Sequence, residues 1–289
     1  MKLKGGFGNQ LFQYAFAKLM ERESGETVSL DVSQYSLVGD DKIRVPRLLD
    51  LRISLPVASE EDVRKLLLLQ QKSHPSSVNY KANLIMESLI NKRFYFEKDR
   101  RCREVSSLMK YSYFDGYWQS YKYCDPVKNI ILPEIKTKHS LSDETLRMME
   151  NVSRENSVFL GVRKGDYEKE KEHYGEFDNG YYLRAMSYIA ERLYDPVFYV
   201  FSNDVQWCKE HLKWDDFNVQ YREQEQQVSD LEEFFIMQSC RNAIIINSTF
   251  HWWAAYLIDN PDKIVIHPSK WFFDNKPIDI YHPDWVTVE

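Results

Sequence analysis

From about residue 157 to residue 268, short apolar runs alternate with amphipathic segments. The apolar runs have the length and composition of buried parallel strands. They are SVFLGV (157–162), PVFYVF (196–201), NVQYRE (218–223), NAIIIN (242–247) and KIVIHP (263–268). The segments with helical spacing are 179–193, 202–212, 228–240 and 248–258. This alternation predicts a parallel sheet covered by helices on both faces, a Rossmann-like domain.

Capping residues and buried aromatics support three of these helices. Ser229 lies three residues before Glu232, the spacing of a capping box. Asn179 or Asp178 is suited to cap the helix at 179–193. The two tryptophans of the last helix, at positions 252 and 253, are predicted to be core residues rather than sugar-stacking surfaces.

The first half of the chain is less regular. Three glycines within Gly5–Gly8 open a helix, because apolar residues then recur at i, i+3 and i+4 through residues 10–23. The segment before them, residues 1–4, is short for a first sheet strand. The other predicted elements are a strand at 27–32 and helices at 59–71 and 83–94.

Length and composition bound the class of protein. The 289 residues, 43% of them hydrophobic, suffice for two domains, and the polar stretch near 133–156 is the predicted linker. A net charge of −6 argues against a nucleic-acid partner. The four cysteines are scattered, which suits a reducing compartment. Without a leader-like apolar stretch or a run of about 18–20 apolar residues, we expect a soluble, cytoplasmic chain.

Polar residues follow three of the predicted strands. They are Arg163–Tyr167, Ser202–Asp204 and Ser248–Phe250, and the last of these opens a helix. Ligands of doubly wound sheets bind at the carboxyl ends of the strands, so these loops should converge on one crevice. Arg163 and Lys164 suit phosphate oxygens, and a helix N-terminus favours negative charge. The sequence therefore predicts a diphosphate site.

Each of these residues also has a purely structural interpretation. Arg163 and Asp166 can pair with each other at the surface. Ser248, Thr249 and Asp204 can serve only as helix caps. Three such loops on one sheet together favour the binding interpretation over each structural one.

Absent motifs narrow the reaction class. The N-terminal glycines match neither G-x-G-x-x-G nor the P-loop pattern, and no G-x-S-x-G elbow is present. No Asp-x-Asp occurs that would hold a divalent metal on a nucleotide diphosphate, and no cysteine–histidine cluster suggests zinc. These observations favour a transferase without a metal or other cofactor, in which arginine and a helix dipole neutralise the leaving group.

Five segments, taken in order, resemble glycosyltransferase family eleven, the α-1,2-fucosyltransferase family. They are GGFGNQLFQYAFA (5–17), DGYWQSYKY (115–123), GVRKGDY (161–167), FYVFSNDVQWCKEHL (198–212) and IINSTFHWWAAYL (245–257). The first and last are specific enough that chance matches to both are rare. A more distant similarity is to the protein O-fucosyltransferases and the α-1,6-fucosyltransferases.

The resemblance implies a GT-B-like α/β fold, with two Rossmann-like domains facing each other across a cleft. Residues 1–145 would form the acceptor-side domain with a helical insertion, and residues 155–289 the domain that binds the nucleotide sugar. It implies metal-independent, inverting transfer of fucose from GDP-fucose to the 2-hydroxyl of a galactoside, in surface-glycan synthesis. The implied partners are this donor and an oligosaccharide acceptor, with peripheral contact to a membrane-linked glycan.

The resemblance also assigns roles to single residues. Arg163 would contact the β-phosphate, and Asp166 would orient the Arg163 side chain. The residues assigned to donor binding are Gly6, Gly8, Asn9, Gln10, Lys164, Ser202, Asn203, Asp204, Asn247, Ser248, Thr249 and Phe250. The glycines would let the first loop approach the diphosphate closely, while Asn9 and Gln10 would turn their amides toward the sugar.

The chain departs from the family pattern at one motif. Many members have His-x-Arg-Arg-Gly-Asp, where this chain has Gly161, Val162, Arg163, Lys164, Gly165 and Asp166. The histidine is absent, and the lysine keeps a charge but loses the planar fork of arginine. Two alternatives stay open: a transferase with another GDP-sugar donor, and a non-catalytic sugar-nucleotide or glycan-binding protein on the same scaffold.

The general base is the least determined part of the predicted mechanism. Inverting transfer usually needs a base at the acceptor hydroxyl, and Asp166, Glu168 and Asp178 are candidates. The alternative is a loose transition state in which the leaving diphosphate takes the proton.

Overall fold

A computed structural model describes residues 1–36, 45–69, 78–163, 179–222, 229–272 and 278–289. The chain folds into two α/β units. The first comprises Met1–His139 and Pro277–Ile280, and the second comprises Ser140–Lys276 and Tyr281–Glu289. The limits of the domains stay predictions, as does their arrangement about a cleft.

The helices and strands are numbered along the chain. The α-helices are α1 Phe7–Ser24, α2 Ser33–Ser36, α3 Glu60–Leu66, α4 Val78–Ile90, α5 Val105–Leu108, α6 Tyr121–Cys124, α7 Lys128–Ile131, α8 Asp143–Arg154, α9 Asn179–Ala190, α10 Val205–His211, α11 Asp230–Ser239 and α12 Thr249–Tyr256. Short 3₁₀ helices cover Arg47–Asp50 and Asp125–Val127. The strands are β1 Phe94–Phe96, β2 Tyr113–Asp115, β3 Ser157–Val162, β4 Val197–Ser202, β5 Asn218–Tyr221, β6 Asn242–Ile244, β7 Val265–Pro268 and β8 Val286–Val288.

The second unit is built on a six-stranded sheet in the order β5-β4-β3-β6-β7-β8. Every neighbouring pair is parallel. This is the doubly wound order, in which the chain first moves outward from β3 to one side and then returns to fill the other. The strand order therefore reverses between β3 and β6, and this switch point fixes where a ligand site is expected.

The pattern of the second half predicts this unit closely. The five predicted strands correspond to β3–β7, and the capping box at Ser229 and Glu232 is present at the start of α11. Trp252 and Trp253 are fully buried, as predicted. Strand β8 has no counterpart in the prediction, because Val-Thr-Val is too short for a periodic signal.

The core of the second unit explains why its strands are so apolar. All six residues of β3 are buried, as are all six of β4. Val158, Leu160 and Val162 pack with α9 on one face of the sheet, while Phe159 contacts Phe201 on the other, at 6.3 Å between ring centroids. A strand covered on both faces has no polar side to expose, so it is a continuous apolar run.

The first unit contains a parallel sheet that is built mostly from single bridges. Strands β1 and β2 pair in parallel, and the Lys2 amide donates to the Phe114 carbonyl of β2 at 3.0 Å. Parallel bridges then join Lys2 to Asp31 and Leu30 to Val57. The predicted strand at 27–32 is thus reduced to two bridging residues, whereas the predicted first helix is present as α1.

Within the described ranges, none of the helices combines the length and the apolar character needed to cross a bilayer.

Candidate functional site

Three of the predicted ligand loops begin at the carboxyl edge of the second unit's sheet. Strand β3 lies between β4 and β6, and all three run in parallel, so their carboxyl ends share one edge. Arg163 directly follows β3, Ser202 ends β4, and Asn247 follows β6. The topology therefore brings Arg163, Ser202 and Asn247 to the switch point, where doubly wound sheets hold ligands.

The loop after β6 forms the start of α12. Ser248 is the N-cap of this helix, and its hydroxyl accepts a bond from the His251 amide at 3.5 Å. Asn247 and Ser248 are each 2% exposed, and the Asn247 side chain donates to the Trp271 carbonyl at 3.0 Å. Thr249 and Phe250 are half-buried in the first turn. A capped eight-residue helix thus begins at the switch point with its positive end toward the loop.

The loop after β4 is held by its own hydrogen bonds. The Asp204 amide donates to the Ser202 hydroxyl at 3.0 Å. The Asp204 carboxylate is the N-cap of α10 and accepts from the Trp207 amide at 2.9 Å. Asn203 and Asp204 are both exposed. Asp204 therefore has the capping role that the sequence allowed, and one of its oxygens is already committed to the helix.

An unforeseen residue, His251, lies close enough to Arg163 for the guanidinium charge to act on its imidazole. It belongs to the first turn of α12 and is 6% exposed. Burial, together with the positive charge of Arg163, lowers the pKa of its imidazole to about 3. The ring is therefore neutral at physiological pH. The sequence carried no local signal that distinguishes His251 from an ordinary core histidine. Only its close packing against Gly161, visible in the structure, does so.

Lys164 and Asp166 lie outside the described residues, as do Glu168 and Asp178. Their proposed roles stay predictions.

The glycine loop belongs to the first unit, at the carboxyl end of its first extended segment. Gly5 has a φ of +79°, and a Cβ there would lie 2.6 Å from the side-chain nitrogen Nδ2 of Asn9. Both the backbone conformation and the available space therefore require glycine. Gly6 is the N-cap of α1, and Gly8 is buried in its first turn. A Cβ at Gly6 would meet no atom within 4 Å. The turn itself thus requires glycine at position 5, whereas the space beside Gly6 is unoccupied.

The two amides after these glycines have different surroundings. Gln10 is fully buried; its amide nitrogen donates to the carbonyls of Gly5 at 3.2 Å and Val45 at 2.9 Å, and its oxygen accepts from the Leu48 amide at 2.9 Å. Asn9 is partly exposed, and its oxygen accepts from Gln119 at 2.8 Å. Gln10 therefore organises the loop, while Asn9 is partly exposed and its role toward the donor stays a prediction.

A buried charge cluster lies at the carboxyl ends of the first unit's strands. Lys4 donates to the Asp115 carboxylate at 2.5 Å, and Lys2 lies 3.7 Å from its other oxygen. Burial alone would raise the pKa of Asp115, but the two ammonium groups outweigh it and hold that pKa below its ordinary value. Glu97 lies at the same edge, and burial raises its pKa although the amides of Tyr117 and Trp118 donate to it.

Within the described ranges, no group of three or more histidine, cysteine or acidic side chains is arranged to hold a metal ion.

The comparison with protein families decides the class. The model of glycosyl transferase family 11 matches residues 1–289. The chain belongs to this family. Family 11 membership and the strand order agree with the resemblance found in the sequence, and the protein is accordingly a glycosyltransferase of this family.

Relatives of known function extend the comparison. The chain is 29% identical to an α-1,2-colitosyltransferase of Escherichia coli, over 100% of this chain and 98% of that protein. It is 25% identical to the galactoside 2-α-L-fucosyltransferase Sec1 of Mus musculus, over 100% of this chain and 73% of that protein. Family 11 therefore includes relatives named for different transferred sugars.

A solved structure confirms the fold. Fucosyltransferase NodZ from Bradyrhizobium is similar over 91% of this chain and 93% of that one, with a TM-score of 0.51 and 14% identity. The family 11 chain thus has the GT-B-like α/β fold that the family resemblance implied.

Proposed function

We propose that this glycosyltransferase moves a fucosyl group from GDP-fucose to the 2-hydroxyl of a galactoside, with inversion and without a metal, in the synthesis of a surface glycan. The observation that carries the proposal is the switch point of the second unit. There Arg163 follows β3 and the N-terminus of α12 follows β6, on adjacent strands. A guanidinium and a helix N-terminus together suit a diphosphate. The names of the Escherichia coli and mouse relatives support an α-1,2 linkage.

The residues divide the chemistry as follows. The bond from the sugar's anomeric carbon to the β-phosphate oxygen breaks, and a bond from that carbon to the acceptor's 2-hydroxyl oxygen forms. Arg163 and the first turn of α12 stabilise the negative charge that develops on the leaving diphosphate. The hydroxyl proton passes to a carboxylate base or to the leaving diphosphate.

The second candidate is transfer of a colitosyl group. It is favoured by the relative with 29% identity over the full length of the chain, which is named for that sugar. Colitose is fucose without its 3-hydroxyl. A site that hydrogen-bonds this hydroxyl would reject the deoxy sugar strongly, whereas a site that leaves it in solvent would accept both.

The deciding experiment presents the purified chain with GDP-fucose, GDP-colitose, GDP-mannose and UDP-galactose, each with a panel of galactosides. Mass spectrometry measures transfer, and NMR of the product gives the linkage and the anomeric configuration. Product from GDP-fucose with an inverted 1,2 linkage supports the first proposal. Product from GDP-colitose alone favours the second candidate, and GDP binding without any product favours a binding protein.

Metal independence is tested in the same assay with excess EDTA. We expect the rate to stay unchanged, because the cationic groups at the switch point replace the metal. Loss of activity that Mn²⁺ or Mg²⁺ restores would contradict this part of the proposal.

A thermal-shift series tests which nucleobase the donor carries. GDP at a hundred times its Kd should stabilise the chain by about 2.7 kcal/mol. A larger stabilisation by UDP than by GDP would overturn the choice of donor.

A further inference from the structure

Helix α4 turns an apolar face toward the solvent. Val78, Ala82, Ile85 and Leu89 follow one another at the i, i+4, i+7 and i+11 spacing of a single helix face, and all four are exposed. Val78 is 82% exposed and Leu89 is 71% exposed. We call these four residues the α4 stripe. Surface helices normally show polar side chains to the solvent, so an exposed aliphatic stripe indicates a surface that contacts another body.

The opposite face of α4 fixes the rotation of the helix. Tyr80 and Leu84 lie in a buried cluster with Phe94 of β1 and Tyr113 of β2. Both side chains are at most 4% exposed. The stripe can therefore be covered only if this cluster is pulled out of the first unit, and it stays on the outside while the unit is folded.

The one acidic residue in the sequence of α4 points inward as well. The Glu87 side chain is fully buried, and its carboxylate accepts from the amides of Leu68 at 2.8 Å and Leu69 at 2.7 Å. It also accepts from the side-chain amide of Asn91 at 2.6 Å. These hydrogen bonds compensate for the burial of a carboxylate. Helix α4 thus keeps its acid inside and its aliphatic side chains outside, the reverse of the usual arrangement.

The basic residues of this segment accompany the stripe. Lys81 lies four residues before Ile85 and therefore beside it on the helix, while Lys92 and Arg93 follow the end of α4. All three basic residues are exposed. Residues 78–93 contain no acid other than Glu87. The exposed surface of the segment therefore combines aliphatic side chains with three positive charges and no negative one.

This composition fits a lipid surface better than a protein. The cores of protein interfaces are enriched in aromatic residues and depleted in lysine, whereas the α4 stripe is aliphatic and has a lysine beside it. A helix that lies flat on a bilayer has an apolar face at the headgroup boundary and basic residues near the phosphates. Each such lysine or arginine is attracted by anionic headgroups.

We propose that α4 is a membrane-docking surface. The α4 stripe enters the boundary between headgroups and acyl chains of an anionic bilayer, and Lys81, Lys92 and Arg93 contact the headgroups. The inference goes beyond the proposed function and does not depend on it, because docking requires neither donor nor acceptor. Docking would bring the enzyme to any acceptor that is carried on a lipid.

The test is flotation of the purified full chain with two kinds of vesicle. One kind is phosphatidylcholine alone, and the other contains equal parts of phosphatidylcholine and phosphatidylglycerol. We expect the wild type to float with the anionic vesicles, to float much less with the neutral ones, and to be released by high salt, which screens the charges.

Two variants separate the two parts of the surface. K81E/K92E/R93E should weaken binding to anionic vesicles by at least about 100-fold, because three attractive charges become repulsive. V78S/I85S/L89S should weaken it by at least about tenfold, because less apolar surface enters the bilayer. All substituted side chains are exposed, so both variants should keep the melting temperature of the wild type and its transfer rate with a soluble galactoside.

The controls lie on the second unit. R147E/R154E/K213E changes the net charge by the same amount at three exposed residues. L146S removes an exposed leucine, 49% exposed, from a helix that carries acids in its first turn. Both controls should float as the wild type does.

Three results would overturn the inference. They are a wild type that does not float with anionic vesicles, folded α4 variants that float as the wild type does, and a wild-type dimer in light scattering that V78S/I85S/L89S converts to monomers. The last result would show that a second copy covers the stripe. A wild type that floats as expected but transfers no sugar to a soluble galactoside would instead contradict the proposed function and leave the docking surface in place.

Discussion

The ammonium group of Lys4 and the carboxylate of Asp115 lie 2.5 Å apart in an almost completely buried pair. The Lys2 ammonium lies 3.7 Å from the other oxygen of the same carboxylate. Charges without solvent are stabilised only by each other, and removing one partner leaves the others uncompensated. Asp115 is therefore the carboxylate that lies against both ammonium groups, while Asp31 and Glu97 add negative charge around Lys2 and Lys4 respectively.

Replacing Asp115 by Asn should lower the free energy of unfolding by about 3–5 kcal/mol, since two buried ammonium groups lose their counter-charge. Urea denaturation measures this loss. Glu60→Gln is the control, because the Glu60 pair with Arg64 is exposed and should contribute no more than about 0.5 kcal/mol. The pKa of Asp115 is lowered in the folded state, so its contribution is complete above the unfolded pKa and disappears as pH falls through the folded one.

Replacing Arg163 by Ala should reduce kcat by roughly 10²–10³, about 3–4 kcal/mol, as loss of one oxyanion donor does. KM for the donor should change less, because the interaction strengthens as charge develops on the leaving group. Arg163→Lys should recover only part of the rate, since a point charge replaces a planar fork. Steady-state kinetics measures these changes.

The control for Arg163 is Arg154→Ala. Arg154 pairs with Glu150 at the end of α8, just before β3 begins, and so lies toward the opposite edge of the sheet. The Arg154→Ala substitution should leave kcat unchanged. A folded Arg163→Ala variant with wild-type kcat would show that Arg163 is only a surface brace.

The pKa of His251, about 3 in the folded chain, predicts a pH-dependent stability. Between that value and the ordinary pKa near 6.5, the unfolded chain binds a proton that the folded chain does not, so stability rises with pH. The free energy of unfolding of the wild type should therefore change more steeply than that of H251N, by about 1.4 kcal/mol per pH unit between pH 4 and 6. Urea denaturation at each pH measures this free energy. An equal pH dependence in wild type and H251N would contradict a buried, neutral imidazole at position 251.

Replacing Glu97 by Ala should release the turn that follows β2. Trp118 has a φ of 57°, an unfavourable value for a bulky residue, while its ring stacks on Phe16 at 3.8 Å between centroids. The Glu97 carboxylate accepts from the amides of Tyr117 at 2.6 Å and Trp118 at 3.2 Å. Loss of these bonds should lower the free energy of unfolding by about 1–3 kcal/mol. It should also accelerate hydrogen exchange at the amides of Tyr117 and Trp118.

Glu97→Gln is the matched variant, because its amide oxygen still accepts from the backbone. It should lose less stability than Glu97→Ala. Similar exchange rates in wild type and Glu97→Ala would indicate that ring stacking alone holds the turn.

The sheet of the second unit was predictable because each of its central strands is buried on both faces. A segment such as residues 157–162 then has no polar alternation and is bounded by helical spacing, so its type and limits are visible locally. The first unit's sheet was not visible in this way. Its first segment carries Lys2 and Lys4, which are buried only because Asp115, far along the chain, neutralises them.

The candidate site shows the same division. Residues that follow strands, such as Arg163 and Ser248, are placed by topology, and a strand pattern suffices to predict their edge. His251 is placed by a contact with Gly161 on a different element, and no local periodicity records such a contact. The absence of the motif histidine was visible in the sequence, whereas the packing of His251 against Gly161 was visible only in three dimensions.

The close packing of His251 against Gly161 also constrains the order in which mutations can bring a histidine to position 161. A chain with histidine at both positions cannot pack, so that intermediate is closed to an evolving lineage. The route that avoids this conflict passes through a chain with a small residue at both positions. Moving a histidine from position 251 to position 161 therefore takes at least two substitutions, and the change at 251 has to come first.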